Sequence, residues 1–376
     1  MAPSGHSVIP IQPLSDHLMP RFASVPVLAR LSAMIPMVAL RVPDPGDDSR
    51  WKDHAIGDRV FRIVQPVTLT PYASAAPCSA RCRFCSETLI EKETAKPSSA
   101  LRPGHRYFDG LQTALRQLAG LPLSYSLSGL ETTDDPEWMA AVLDLLQAHA
   151  DRSPVQERVL YTNAAGLGHP GHGGYLRNRL AAFGIDWIEL SRHHFDETVN
   201  QSIMRFRAGV SVRSQPHFEE TLRHLIRFAP VKLVCIVQHG GIDSAEAVMR
   251  YLDWAIALGV GTVIFREFSK LDRRYADNVT ARYIAAARVP VDRLLEQCLE
   301  YAAFSALFSF ERITEGYYFW NLVGRYRGIE VVFEASDYAL MHRQHDSGRV
   351  YKLVYHANGN LCAGWNPERH VLFSAG

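Results

Sequence analysis

Cys78, Cys82 and Cys85 stand in the run CSARCRFC, spaced C-x3-C-x2-C, with an aromatic residue, Phe84, just before the last thiol. Structural zinc and ordinary electron-transfer iron–sulfur clusters take four protein ligands, so three thiolates are one short of a closed site. On a cubane of four irons they would leave one iron free to bind a small molecule. A zinc knuckle is the competing reading of the same run. Cys235, Cys298 and Cys362 are scattered, so no second C-x-x-C pair points to a disulfide framework or to another cluster.

Further candidates sit where short apolar runs end. SLSGLETT, Ser126 to Thr133, offers a glycine, Gly129, where the chain can approach a ligand closely, and a carboxylate acceptor, Glu131. A strand-to-loop turn with a solvated glutamate is the plain alternative. YTNAAGL places Asn163 at a strand end, where asparagine also serves simply as a turn residue. In ELSRHHFDE, Ser191 is followed by Arg192, whose guanidinium could pair with a carboxylate bidentately or form a surface salt bridge. His193 and His194 are adjacent at a strand exit and point in different directions, so at most one faces a pocket. An imidazole titrating near neutrality could move a proton, bind substrate or shape the loop. Gln238 follows the fifth predicted strand, and Arg266 and Glu267 the sixth, which makes them pocket candidates by location or, for the last two, an internal ion pair. Cys235 lies within the fifth strand, either as a hydrogen-atom donor, through its S–H bond, or as a small buried hydrophobe.

The elements that would position these groups alternate. VFRIVQPVTLT, Val60 to Thr70, predicts a strand, and the cysteines follow in a long loop. Helical periodicity over 107–118, 137–150, 175–183, 218–228 and 245–258 is interleaved with strands at 123–128, 158–162, 186–191, 231–238 and 262–266. Such alternation implies βαβ units and a parallel sheet covered on both faces. Six strands with right-handed crossovers predict an α/β fold, a partial (β/α)6 TIM-like barrel, with the cysteine loop at the face where barrel active sites form. Residues 1–58, proline-rich and poorly periodic, read as an N-terminal arm or cap, and 59–270 as the barrel. Residues 271–376 read as a mainly antiparallel β extension that closes the barrel. It holds a helix over 291–304, the strands IEVVFEA and VYKLVYH, and an Asn358-Gly359 hairpin turn before LCAGW.

Composition narrows the function. Over 376 residues, 47% are hydrophobic and 21% charged, ordinary for a globular enzyme. With 40 Lys and Arg against 39 Asp and Glu the formal net charge is +1, no footprint for nucleic acid or for acidic lipid. The apolar stretch from Ala23 to Val42 is broken by Pro26, Arg30, Pro36 and Arg41, and no basic segment precedes it, so neither a membrane span nor a secretory signal is expected. Unpaired thiols and iron–sulfur chemistry fit a reducing cytoplasm.

From Val60 to Ser269 the motifs, in their order on successive strand ends, resemble the radical S-adenosylmethionine (SAM) superfamily. The resemblance implies one 4Fe–4S cluster on Cys78, Cys82 and Cys85, with SAM chelated to the open iron and cleaved by one electron to a 5′-deoxyadenosyl radical. It matches SGLE to the superfamily's G-G-E motif, with Gly129 and Glu131 in place and Leu130 replacing the middle glycine; Glu131 would accept the SAM ammonium. Many members have T-N-G at the Asn163 turn. Phe84, Ser191, Arg192 and Gln238 would complete the cofactor contacts, and Arg266 and Glu267 would face substrate. Within the superfamily the chain looks most like the group holding the molybdenum-cofactor GTP cyclase and viperin. It lacks the C-terminal cysteines of the former's second cluster and of SPASM-type extensions, and its arm has no room for a cobalamin domain. The implied function is hydrogen abstraction from a small metabolite (rearrangement, cyclisation, dehydrogenation or epimerisation), with natural-product biosynthesis as the implied setting and electrons from a donor such as flavodoxin or ferredoxin. Peptide modification is the alternative enzyme reading, and a zinc or Fe–S binding or sensing protein the non-enzyme one.

Overall fold

Apolar runs alternating with amphipathic helices become one curved sheet wrapped by helices. The computed structural model describes residues 12–13, 25–32, 35, 37–40, 48–72, 74–94 and 96–375. The expected arm, 1–58, therefore lies partly outside the described residues. Within them are β1 (Gln12–Pro13), α1 (Pro26–Ser32), β2 (Met37–Leu40) and β3 (Trp51–Ile56). β3 turns at Gly57 and pairs antiparallel with β4 (Arg59–Tyr72), so this hairpin crosses position 58.

After β4 comes the cysteine loop, and then the regular alternation. It runs α2 (Tyr107–Gln117), β5 (Leu123–Leu127), α3 (Pro136–Ala150), β6 (Val155–Thr162), α4 (Gly173–Phe183) and β7 (Trp187–Ser191). It continues through α5 (Glu197–Met204), α6 (Gln215–Ile226), β8 (Val231–Val237), α7 (Ala245–Ala257) and β9 (Thr262–Glu267). The helix ends follow from local chemistry. Asp135 accepts the Trp138 amide at 3.0 Å with Pro136 opening α3, Asp196 accepts that of Val199 at 2.9 Å in α5, and Gly184 ends α4 in the left-handed region.

The remainder comprises α8 (Val279–Ala287), α9 (Val291–Glu300), α10 (Ala302–Ser305), β10 (Phe308–Glu315), β11 (Phe319–Tyr326) and β12 (Ile329–Ser336). Then follow α11 (Tyr338–His345), β13 (Arg349–His356), β14 (Asn360–Cys362) and β15 (Val371–Ser374). The sheet order is β1-β2-β10-β11-β12-β9-β8-β7-β6-β5-β4-β13-β14-β15, with β3 on β4. β4 to β9 are the six parallel strands of the expected partial barrel. The expected antiparallel extension is present in the β10–β11–β12 and β13–β14–β15 pairings, with the Asn358-Gly359 turn between β13 and β14.

Two of those C-terminal strands do more than the sequence suggested. IEVVFEA (β12) pairs parallel to β9 at one edge, and VYKLVYH (β13) pairs parallel to β4 at the other, so eight parallel strands stand side by side. The gap between β12 and β13 is spanned by α11 and by Tyr317 stacked on Tyr351 at 4.8 Å. Pairing partners depend on tertiary packing, which a local apolar pattern does not carry.

The barrel turns its apolar side outward to the helices and encloses a polar interior. Ile188, Leu190, Leu233, Val263 and Phe265 are buried against the helical layer. Glu157, Glu189 and Lys232 line an interior cavity. This inverted alternation decides which motif residues reach the site.

Candidate active site

Cys78, Cys82 and Cys85 line one cavity of about 340 Å3 at the C-terminal ends of the barrel strands. Their loop is laced to the end of α5 and the segment after it: Arg81 N bonds Met204 O at 3.1 Å, Arg83 N bonds Ile203 O at 3.2 Å, and Arg207 N bonds Ser79 O at 3.0 Å. Sγ of Cys78 receives Ala80 N at 3.4 Å and Asn163 Nδ2 at 3.8 Å. Burial pushes all three thiols up, Cys85 to about 12, so thiolates here require compensating positive charge. Phe84 packs edge-on against His193 at 4.9 Å and beside Phe268 at 5.2 Å, walling the cavity.

Glu131 is 1% exposed and ties strand ends together. Its Oε1 accepts Thr133 N at 3.2 Å, Thr133 Oγ1 at 2.5 Å and Thr162 Oγ1 at 2.6 Å, and its Oε2 accepts Asn163 N at 2.6 Å. Burial raises its pKa against these donors. Asp134 accepts Ser79 N at 2.6 Å, and burial, then Glu131, pushes it up to about 7. Gly129 has φ +98°, and a Cβ there would run into the Tyr72 ring. Leu130 has φ +52°, in the region glycine enters freely. Ala164, which follows Asn163, has φ +66°. Both places where this chain departs from a motif glycine thus hold glycine-like backbone.

Strand alternation sorts the ELSRHHFDE residues. Ser191 and His193 line the cavity. Arg192 faces the helices instead, fully buried, with its guanidinium 4.4 Å over Phe218, bonded to Val212 O at 3.3 Å and to Gln215. The expectation that Arg192 holds SAM is therefore corrected: it shares the outward phase of Ile188 and Leu190. His194 also points away from the cavity, its Nδ1 accepting Asp196 N at 2.9 Å, and is removed from the substrate candidates. Nδ1 of His193 accepts Ile236 N at 3.1 Å, which leaves the ring proton on Nε2. Burial, then Arg192 and Arg266, lowers its pKa to about 3, so this imidazole is neutral at physiological pH and does not titrate there.

Cys235 is buried on the outer side of β8, its thiol 3.4 Å from His193 O, and cannot hand a hydrogen atom to a radical in the cavity. Gln238 is fully buried and not part of the lining, its side chain engaged by Tyr283 OH at 2.6 Å and Ile236 O at 3.3 Å. Both expectations are corrected by the phase of the strand and by packing under α8. Arg266 and Glu267 do reach the cavity. Arg266 bridges Glu189 at 3.2 Å and Glu334; burial would lower its pKa, but these carboxylates raise it. Glu267 pairs with Arg288 and accepts Val291 N at 2.8 Å.

The sequence reading missed a second polar group. Tyr72 donates to Glu87, which lies two residues past the last thiol, and Lys352 of β13 extends over Trp365 at 3.9 Å. Burial raises Glu87 to about 7 and lowers Lys352 to about 7. A lone lysine inside the apolar strand VYKLVYH was the available signal. Beside the thiol cavity, a second of about 180 Å3 shares Ser86, Glu87, Leu89 and Tyr338 with it and is walled further by Tyr275, Tyr318 and Trp365.

Three thiols line the cavity, one short of the four ligands that closed zinc sites and electron-transfer clusters take. Among the described residues no three His, Cys, Asp or Glu side chains converge as ligands of one metal would. Three thiols on one cavity suit a polynuclear centre, in which each binds a different iron. Among the described residues no helix is long and apolar enough to cross a membrane.

No family model and no curated protein matches this chain. Solved structures do. Streptococcus suis SuiB bound to S-adenosylmethionine is 15% identical over 80% of this chain and 60% of that one, with a TM-score of 0.45. Coproporphyrinogen III oxidase (HemN) from Escherichia coli, described as a radical SAM enzyme, is 11% identical over 68% and 65%, TM-score 0.43. anSMEcpe with bound AdoMet is 14% identical over 53% and 50%, TM-score 0.40. The chain spans about half to three-fifths of the length of the first solved structures it matches.

Proposed function

We propose that this protein is a radical SAM enzyme, with one 4Fe–4S cluster on Cys78, Cys82 and Cys85. The observation that carries the reading is three desolvated thiols lining one cavity together with strand-end polar groups and with no fourth cysteine in that lining. When bound, the cluster and SAM supply a 5′-deoxyadenosyl radical by one-electron reductive cleavage of SAM.

This chain's residues do the rest. Ala80 N and the Asn163 amide stabilise the Cys78 sulfur. Glu131, whose Oε2 accepts the Asn163 amide, offers its remaining acceptor capacity to the SAM ammonium, and Ser191 a hydroxyl to its polar groups. Phe84, Phe268 and the neutral His193 exclude water from the reacting atoms. The substrate is a small molecule held in the adjoining tyrosine- and tryptophan-walled cavity, whose charged lining groups are Glu87, Glu91 and Lys96. Placement against one C–H bond is the protein's share of the chemistry.

Full-length protein reconstituted anaerobically with iron and sulfide, then reduced with dithionite, is expected to convert SAM to 5′-deoxyadenosine. Cys82→Ala is expected to abolish this. A protein carrying its full iron that leaves SAM intact would overturn the reading.

A further inference from the structure

The cavity beside the thiols is walled by rings and carboxylates drawn from separate parts of the chain. The loop after Cys85 supplies Glu87 and Glu91, and it is tied to the segment before α8: Lys92 N bonds Arg274 O and Ala276 N bonds Ile90 O, each at 2.8 Å. That pairing sets Tyr275 opposite Glu91. Tyr318 comes from the β10–β11 turn and Tyr338 opens α11. Trp365 follows β14, in a loop held by Asn366 Nδ2 donating to Thr94 Oγ1 at 2.8 Å.

The tyrosines are set as a cage and not as a slot. Tyr338 meets Tyr275 at 6.0 Å and 41°, and Tyr318 at 6.4 Å and 51°, so neither pair forms the parallel sandwich that grips a flat ligand. Inclined aromatic faces around a space hold a cation, each through the negative charge of its ring face. Trp365 already carries one: Lys352, which is not part of this lining, lies 3.9 Å over it. The Tyr275 hydroxyl lies 3.1 Å from His342 Nε2, which fixes that ring.

The charges are arranged to the same end. Tyr72 donates to Oε2 of Glu87, and among the described residues Oε1 has no hydrogen-bond partner. Glu91, with a side chain 14% exposed, is 3.7 Å from Arg369, a guanidinium it shares with Glu93 at 3.3 Å and Asp346 at 3.9 Å. Lys352 and Arg369 lie outside the lining, and Lys96, within it, is exposed to solvent. Two half-buried carboxylates therefore face the space between the rings.

We propose that this cavity holds a small alkylammonium ion, so that the substrate is a cationic amine. The proposal rests on the functional reading above and names the class of its substrate. Glu87 and Tyr338 line both cavities, so an ammonium seated among the rings has its adjoining carbons at the boundary with the thiol cavity. An uncharged molecule of the same shape keeps the van der Waals contacts and loses the attraction of the ring faces and the carboxylates.

The test uses full-length reconstituted protein, without SAM or reductant, in calorimetric titrations with choline and with the neutral alcohol in which a tert-butyl group replaces its trimethylammonium. Choline is expected to bind about tenfold or more tightly than that isostere. Tyr275→Leu and Glu91→Gln are each expected to weaken choline about fivefold or more with iron content unchanged, whereas Tyr275→Phe, which keeps the ring, stays within about twofold of wild type.

Equal binding of the two probes, or no binding of choline, would overturn the proposal. So would tighter binding of phenol or of benzoate than of choline, which would make this a pocket for neutral rings or for anions. Choline that is displaced by SAM and indifferent to Tyr275→Leu would place the cation among the thiols and overturn it too. Wild type that binds choline through Tyr275 and Glu91 yet never cleaves SAM would refute the functional reading and leave the cage standing. SAM cleavage by a protein indifferent to the charge of choline would do the reverse.

Discussion

Glu131 Oε2 accepts the backbone amide of Asn163 at 2.6 Å, joining the ends of β5 and β6 through a carboxylate that also takes three donors on its other oxygen. Two residues that the sequence assigned separately to a ligand are thus bonded first to each other. The carboxylate sets the shape of the strand-end floor, and only its unused acceptor capacity is left for a ligand.

Replacing Glu131 by alanine strands the buried amides of Asn163 and Thr133. Unmet buried donors cost about 1–3 kcal/mol each, so Glu131→Ala is expected to lose roughly 3 kcal/mol of stability in denaturant titration. SAM affinity is expected to weaken by about 1.5–3 kcal/mol in calorimetry at a temperature where the variant is folded. Iron content should survive. Unchanged stability would show that the four hydrogen bonds are not made.

Neighbours on β7 should behave oppositely. Ser191→Ala removes a hydroxyl from the cavity and is expected to weaken SAM binding by about 1 kcal/mol with little change in stability. Arg192→Met removes a guanidinium stacked on Phe218 and is expected to destabilise by about 2 kcal/mol while SAM affinity in the folded fraction stays level. Weaker SAM binding by folded Arg192→Met would return that residue to the cofactor.

Ala164 holds φ +66° and is fully buried. A left-handed backbone costs a residue with a Cβ about 1–2 kcal/mol, part of which glycine gives back as unfolded-chain entropy. Ala164→Gly is expected to raise stability by about 0.5–1 kcal/mol. A fall in the midpoint of urea unfolding would contradict the backbone assignment.

His356 is fully buried, its Nε2 donating to Gly364 O (3.2 Å), and burial lowers its pKa to about 4. Between that value and the free-histidine pKa near 6.5, the unfolded chain binds a proton that the native state refuses. Its contribution is therefore present above pH 6.5 and lost as pH falls through that window, at about 1.4 kcal/mol per pH unit. The stability difference between wild type and His356→Gln is expected to move against wild type by roughly 3 kcal/mol from pH 7 to pH 4. A difference independent of pH would mean that His356 takes up its proton in the fold as readily as in the unfolded chain.

Much of the site was legible because the chemistry sits on strand ends, and strand ends are marked by a change from apolar runs to Gly, Asn, Ser and Thr. That placed Cys78, Gly129, Glu131, Asn163 and Ser191 around one cavity. The errors at Arg192, His194 and Cys235 have one cause. The barrel interior is polar, so Leu190 and Leu233 show which phase faces the helices, and Arg192 and Cys235 share it. Glu87 and Lys352 were missed because they meet only when β13 pairs with β4, a contact between residues distant in the chain. The same pairing changes the role of the C-terminal segment: β13 is a strand of the barrel sheet beside the cysteine loop, so removing residues after Tyr351 would strip an edge of β4 as well as a cover.

Metal content tests the central claim most directly. Full-length protein reconstituted anaerobically with iron and sulfide in the presence of zinc, then desalted, is expected to retain about four irons per chain and no stoichiometric zinc. Cys78→Ala, Cys82→Ala and Cys85→Ala are each expected to lose most of that iron, and Cys298→Ala, buried in α9, to keep it. One zinc per chain with no iron, unaffected by which cysteine is changed, would contradict the account.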